Sequence, residues 1–77
     1  MKRSMEELVQ EYTAVIKQID RWWVGWIEEI PGVNCQERSK TALVDSLRDA
    51  LREAIAFNRA EALRLAENDY SEEKIAV

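Results

Sequence analysis

The segment WWVGWIEEIPG, residues 22–32, holds all three tryptophans, both glycines and the only proline of the chain. Three Trp in five positions with an abrupt Pro-Gly exit describe a short apolar β-strand that stops sharply. Alternation puts Trp22, Val24 and Trp26 on one face and Trp23, Gly25 and Ile27 on the other. An antiparallel strand with one wet face alternates apolar and polar residues, so a strand that is apolar on both faces needs cover on both.

The flanking residues supply pairing partners and one cover. Residues 11–19, EYTAVIKQI, are β-branched and aromatic, with Tyr12, Ala14 and Ile16 on one face and Thr13, Val15 and Ile19 on the other. Asp20-Arg21 separates this strand from the Trp run as a two-residue hairpin turn whose type stays open. Beyond Pro31-Gly32, residues 33–36 read as a short third strand. Ser39 then has the form of an N-cap, and Leu43, Leu47, Ala50, Leu51, Ala54 and Asn58 recur at helical spacing, with Val44 and Ile55 beside them.

The spacing predicts a helix over residues 40–57, extending or restarting through residue 67 before the breaker Asn68-Asp69-Tyr70-Ser71. Residues 74–77 fit either a fourth, edge strand or a frayed tail. Ser4-x-x-Glu7 resembles a capping box, so residues 1–10 read as an arm or a short helix ahead of one domain over residues 11–77. The expected fold is α+β in β-β-β-α order: a three-stranded antiparallel sheet, four-stranded if the tail pairs, with one main helix on one face. That helix is expected over Gly25, where a missing side chain permits close approach, leaving Trp22, Val24 and Trp26 for another chain.

Composition narrows the function. A chain of 77 residues buries only roughly 60% of its unfolded surface, which favours a partner subunit. Net charge is −4, giving no general pull toward phosphate backbones, so direct nucleic-acid binding is not expected. The apolar run over residues 22–27 is far short of the roughly 20 residues of a membrane span. Met1-Lys2-Arg3 leads into Glu6-Glu7 rather than an apolar leader, so a cytoplasmic location is expected. The chain has no His, which removes Cys-His and Ser-His-Asp chemistry and makes zinc a poor fit. Its one cysteine, Cys35, reads as a small half-buried apolar side chain.

The residue strings themselves resemble a family. Residues 11–16 (EYTAVI), 22–27 (WWVGWI) and 29–33 (EIPGV), followed by a capped helix with Ala and Leu on its core face, are similar to the HicB antitoxins. That family shows YTAVI-like, paired-aromatic and hydrophobic-Pro-Gly segments in this order, and the similarity runs over residues 11–57. The chain departs from it at Val33, where members often carry Cys, and at Glu37-Arg38, where a Gly-Asp pair is usual. Lys40, Thr41 and Ala42 replace acidic residues of the first helical turn, forfeiting about 0.3–1 kcal/mol of helix-dipole stabilisation per charge. The resemblance implies a partial ribonuclease-H-like fold without nuclease activity that binds and silences a small basic messenger-RNA-cleaving toxin of the HicA type. Many members add a DNA-binding module at the C-terminus; the 77 residues leave no room for one, so operator binding is not expected of this chain.

Each candidate site has a plainer competitor. Ribonuclease-H chemistry needs carboxylates converging on two magnesium ions, and adjacent Glu28 and Glu29 point to opposite faces of an extended strand. The Trp cluster could stack bases, but Glu28 and Glu29 stand where such a platform places cations. Aromatic anchors beside an acidic edge suit a basic protein better. The expected interface is therefore Trp22, Val24, Trp26, Glu28, Tyr12 and Ile16, with no catalytic, cofactor or metal-binding residue. The expected function is a non-catalytic antitoxin domain, itself a dimer or tetramer. The competing reading is an oligomeric scaffold without a toxin. The helix charges Lys40, Asp45, Arg48, Asp49, Arg52, Glu53 and Arg59 read as a solvated face.

Overall fold

A computed structural model describes residues 11–76. The expected capping box at Ser4 and Glu7 and the last residue, Val77, lie outside the described residues. Three strands, β1 (Ala14–Ile19), β2 (Trp22–Ile27) and β3 (Asn34–Glu37), precede one helix, α1 (Lys40–Ala66). The sheet is antiparallel in the order β1-β2-β3 and the fold is α+β. Residues 67–76 carry no strand, so among the described residues the sheet has three strands and not four.

Local chemistry accounts for each junction. Asp20 turns the β1–β2 hairpin at φ 56°, a left-handed conformation that Asp tolerates better than most residues. Gly32 leaves the β2–β3 connection at φ 91°, and the loop closes where the Ile27 N–H donates to the Val33 carbonyl at 3.0 Å. Ser39 caps α1: its backbone is extended (φ −138°, ψ 157°) and its hydroxyl accepts from the Ala42 N–H at 3.1 Å.

The helix lies across β2 and β3. Leu43, Leu47, Ile27 and Val33 form the buried core, with Tyr12, Ile16, Trp23, Cys35, Ala50 and Leu51 packed around them. Gly25 makes this seating possible. A Cβ built there would lie 2.9 Å from the Val15 carbonyl oxygen, 3.1 Å from Leu47 Cδ1 and 3.2 Å from Leu43 Cδ2. Ser46 adds a polar tie, its hydroxyl donating to Glu37 Oε2 of β3 at 2.6 Å.

Helix α1 runs on through 27 residues, a rod of about 40 Å above strands of about 20 Å. Its C-terminal part therefore projects past the sheet, and Phe57 and Leu65 there are 64% and 69% exposed. It ends at Glu67, where the chain takes φ 63° and the Glu67 N–H donates to the Leu63 carbonyl at 3.2 Å.

Candidate protein interface on the outer sheet face

The face of the sheet opposite α1 is set by the hairpin register. Antiparallel partners point to the same side, so Ile19 with Trp22, Lys17 with Val24 and Val15 with Trp26 share the outer face. On the other edge Asn34 pairs with Trp26 and Gln36 with Val24. Trp22 and Trp26 remain 36% and 41% exposed, whereas Trp23 turns inward and packs against the core. Three of the expected interface residues, Trp22, Val24 and Trp26, are thus brought together on one face that no described element covers.

Glu28 stands at one end of that surface. The ladder continues one residue past β2, the Glu28 N–H donating to the Thr13 carbonyl at 2.9 Å, so Glu28 continues the alternation of Trp26. Tyr12 and Ile16 do not belong there. Ile16 pairs with Gly25, and both Tyr12 and Ile16 pack against the core under the helix. The physical reason is the turn: a two-residue connection pairs Ile19 with Trp22, and counting back by twos from Ile19 reaches Lys17 and Val15, never Ile16 or Tyr12.

The register also brings in residues that composition did not single out. Val15, Lys17 and Ile19 extend the surface over β1, and the hairpin length is the signal that could have placed them. Arg38, just past β3, lays its guanidinium over the Trp22 ring with Cζ 4.5 Å from the centroid. Such stacking suits the planar, weakly hydrated guanidinium. No pattern in the sequence announces that contact.

Charge on the surface is divided. Lys17 and Arg38 lie toward the hairpin end, whereas Glu11, Glu28 and Glu29 gather at the opposite end of the strands. Glu29 is held in place there: its Oε1 accepts from the Thr13 N–H at 2.8 Å, and that bond, seconded by the Thr13 side chain, lowers the carboxyl pKa. Asp20 sits in the hairpin turn at the other end of the strands, about 20 Å away, and so does not join those carboxylates.

Other features fit structural roles. Among the described residues no group of three or more Cys, Asp or Glu is placed to hold a metal ion. Cys35 is half-buried on the helix side opposite Gly25, and burial first, then the Glu37 charge, pushes its thiol pKa up, away from the reactive thiolate. A groove of about 360 Å³ between the Pro31-Gly32 turn and α1 is open to solvent, its lining both apolar (Ile30, Val33, Ala54, Phe57) and polar (Asn34, Glu53). The helix pairs Asp45–Arg48, Asp49–Arg52 and Glu61–Arg64 are solvent-exposed and join residues three apart. No described helix is long and apolar enough to cross a membrane. No protein family, curated protein or solved structure matches the chain.

Proposed function

We propose that this chain is a non-catalytic, cytoplasmic interaction domain of the HicB-antitoxin type, which binds a small basic RNA-cleaving toxin and blocks it. The observation that carries the reading is the outer sheet face, where Trp22 and Trp26 are exposed on either side of half-buried Val24 and no described element lies over them, while the helix occupies the Gly25 side. A sheet with an apolar second face is completed by another polypeptide, and Trp is among the residue types that dominate binding energy at protein interfaces. The acidic end formed by Glu11, Glu28 and Glu29 offers a basic protein its complementary charge. The β-β-β-α order is the one the resemblance implies.

Co-expression with the product of the neighbouring gene tests the reading. The expected result is a stable complex with a small basic protein whose RNA cleavage stops when this chain is added in stoichiometric amount. A neighbour that neither binds nor cleaves RNA would leave the second reading, an oligomeric scaffold with no toxin, which the same uncovered face supports. Magnesium-dependent RNA cleavage by the purified chain alone would overturn both.

A further inference from the structure

The outer face carries its charge unevenly along the strands, and that asymmetry selects an occupant. At the hairpin end Arg38 lies over Trp22, and Lys17 stands beside Val24 one pairing step away. At the other end, past Trp26, the alternation reaches Glu28 with Glu29 next to it. A basic partner is matched at the acidic end alone and an acidic partner at the basic end alone, whereas an occupant that carries both signs is matched along the whole face.

We propose that the outer face is covered by a second copy of this chain, packed sheet against sheet about a two-fold axis that lies between the sheets and runs perpendicular to the strands. This axis reverses the strands of one copy over the other. The Arg38 guanidinium, already held above β2 by Trp22, then faces the partner's Glu28, and symmetry makes the pair twice. Val24 and Trp26, next to the axis, bury each other between the two pairs. A two-fold axis running along the strands would instead set Arg38 against Arg38, so the charge pattern favours the axis across them.

Size sets the strength. Three strands about 4.8 Å apart and about 20 Å long give a footprint well below the roughly 800 Å² per partner of a standard interface. The dimer therefore belongs to the weak class, forming in the micromolar range. It rests on the proposed interaction role only in treating this face as a protein interface, and because the second copy occupies the toxin's surface, a toxin that binds there displaces it.

Sedimentation equilibrium of the purified full chain, with no other protein present, tests it. The expected result is a reversible monomer–dimer equilibrium. Arg38→Glu and Glu28→Arg, each shown by circular dichroism to keep the fold, are expected to weaken the dimer about tenfold or more. The double variant R38E/E28R recreates both pairs with their signs exchanged and is expected to return to within about threefold of the starting affinity. A chain that stays monomeric throughout the micromolar range overturns the proposal, as do single variants with unchanged association. A double variant as weak as the weaker single also overturns it, since the two residues then do not face each other. A strictly monomeric chain that still captures a basic toxin would remove the dimer and leave the proposed function standing.

Discussion

At Gly25 a single hydrogen atom decides whether helix and sheet can meet. The nearest obstacle to an added methyl is the Val15 carbonyl oxygen at 2.9 Å, a backbone atom of the neighbouring strand that cannot swing aside as a side chain would. Gly25→Ala is therefore expected to destabilise the fold by about 1–3 kcal/mol, read as a lower urea midpoint with unchanged slope. An unchanged midpoint would mean that neither the Val15 carbonyl nor Leu43 and Leu47 crowd this position. Glu29 is a residue-scale feature of another kind. The Thr13 N–H lowers its carboxyl pKa below the ordinary 4.5, so the folded state binds that proton less readily than the unfolded one. Its contribution is complete above pH 4.5 and is lost as pH falls through the lowered native value. Glu29→Gln is expected to flatten the fall in stability between pH 5 and pH 3, followed by thermal melts across that range. An identical acid profile in wild type and variant would show that the Thr13 bond contributes nothing in solution.

At the scale of elements, β2 and the start of α1 lie where the residues place them, because both rest on strong local chemistry: the Trp run bounded by its turns, and the Ser39 cap ahead of Leu43 and Leu47. The seating of α1 over Gly25 was legible for the same reason, since only that side of β2 has room. Helix length was harder to read. The apolar stripe fades after Ile55, yet residues 58–66 continue the helix on intrinsic propensity and the exposed Glu61–Arg64 pair, with no sheet beneath them. Their backbone amides are expected to exchange hydrogen markedly faster than those of residues 43–54, and equal protection along the helix would show that something packs on the projecting end. The outer faces of β1 and β3 were the least legible. Tyr12 and Ile16 look like interface residues when only their apolarity is counted, but the hairpin length turns them inward, and the Arg38–Trp22 stack joins positions 16 residues apart that no periodicity links. The helix end suggests a repair. Glu67 sits at φ 63° and ψ −107°, a conformation costly for any residue but glycine, so Glu67→Gly is expected to add about 0.5–1 kcal/mol of stability in the same urea assay.

The described fold is open for so short a chain: α1 outruns the sheet, and Phe57, Leu65 and Ile75 are 64%, 69% and 82% exposed. The described buried core holds only four apolar side chains, Ile27, Val33, Leu43 and Leu47, and so small a core leaves little margin over the conformational entropy of ordering the chain. Uncovered apolar area of this kind links folding to association, because whatever binds the folded chain and not the unfolded one raises its stability by mass action. The melting temperature is accordingly expected to rise with protein concentration, by a few degrees per tenfold increase once the dimer is populated. Tryptophan emission offers a second readout of the same linkage. Trp22 and Trp26 are half open to water and Trp23 is packed inward, so acrylamide should quench most of the emission from dilute protein and distinctly less from concentrated protein. A melting temperature and a quenching constant that both stay flat over a hundredfold range of concentration would mean that the tryptophan face remains wet in the working molecule, and that the fold is sustained by its own core after all.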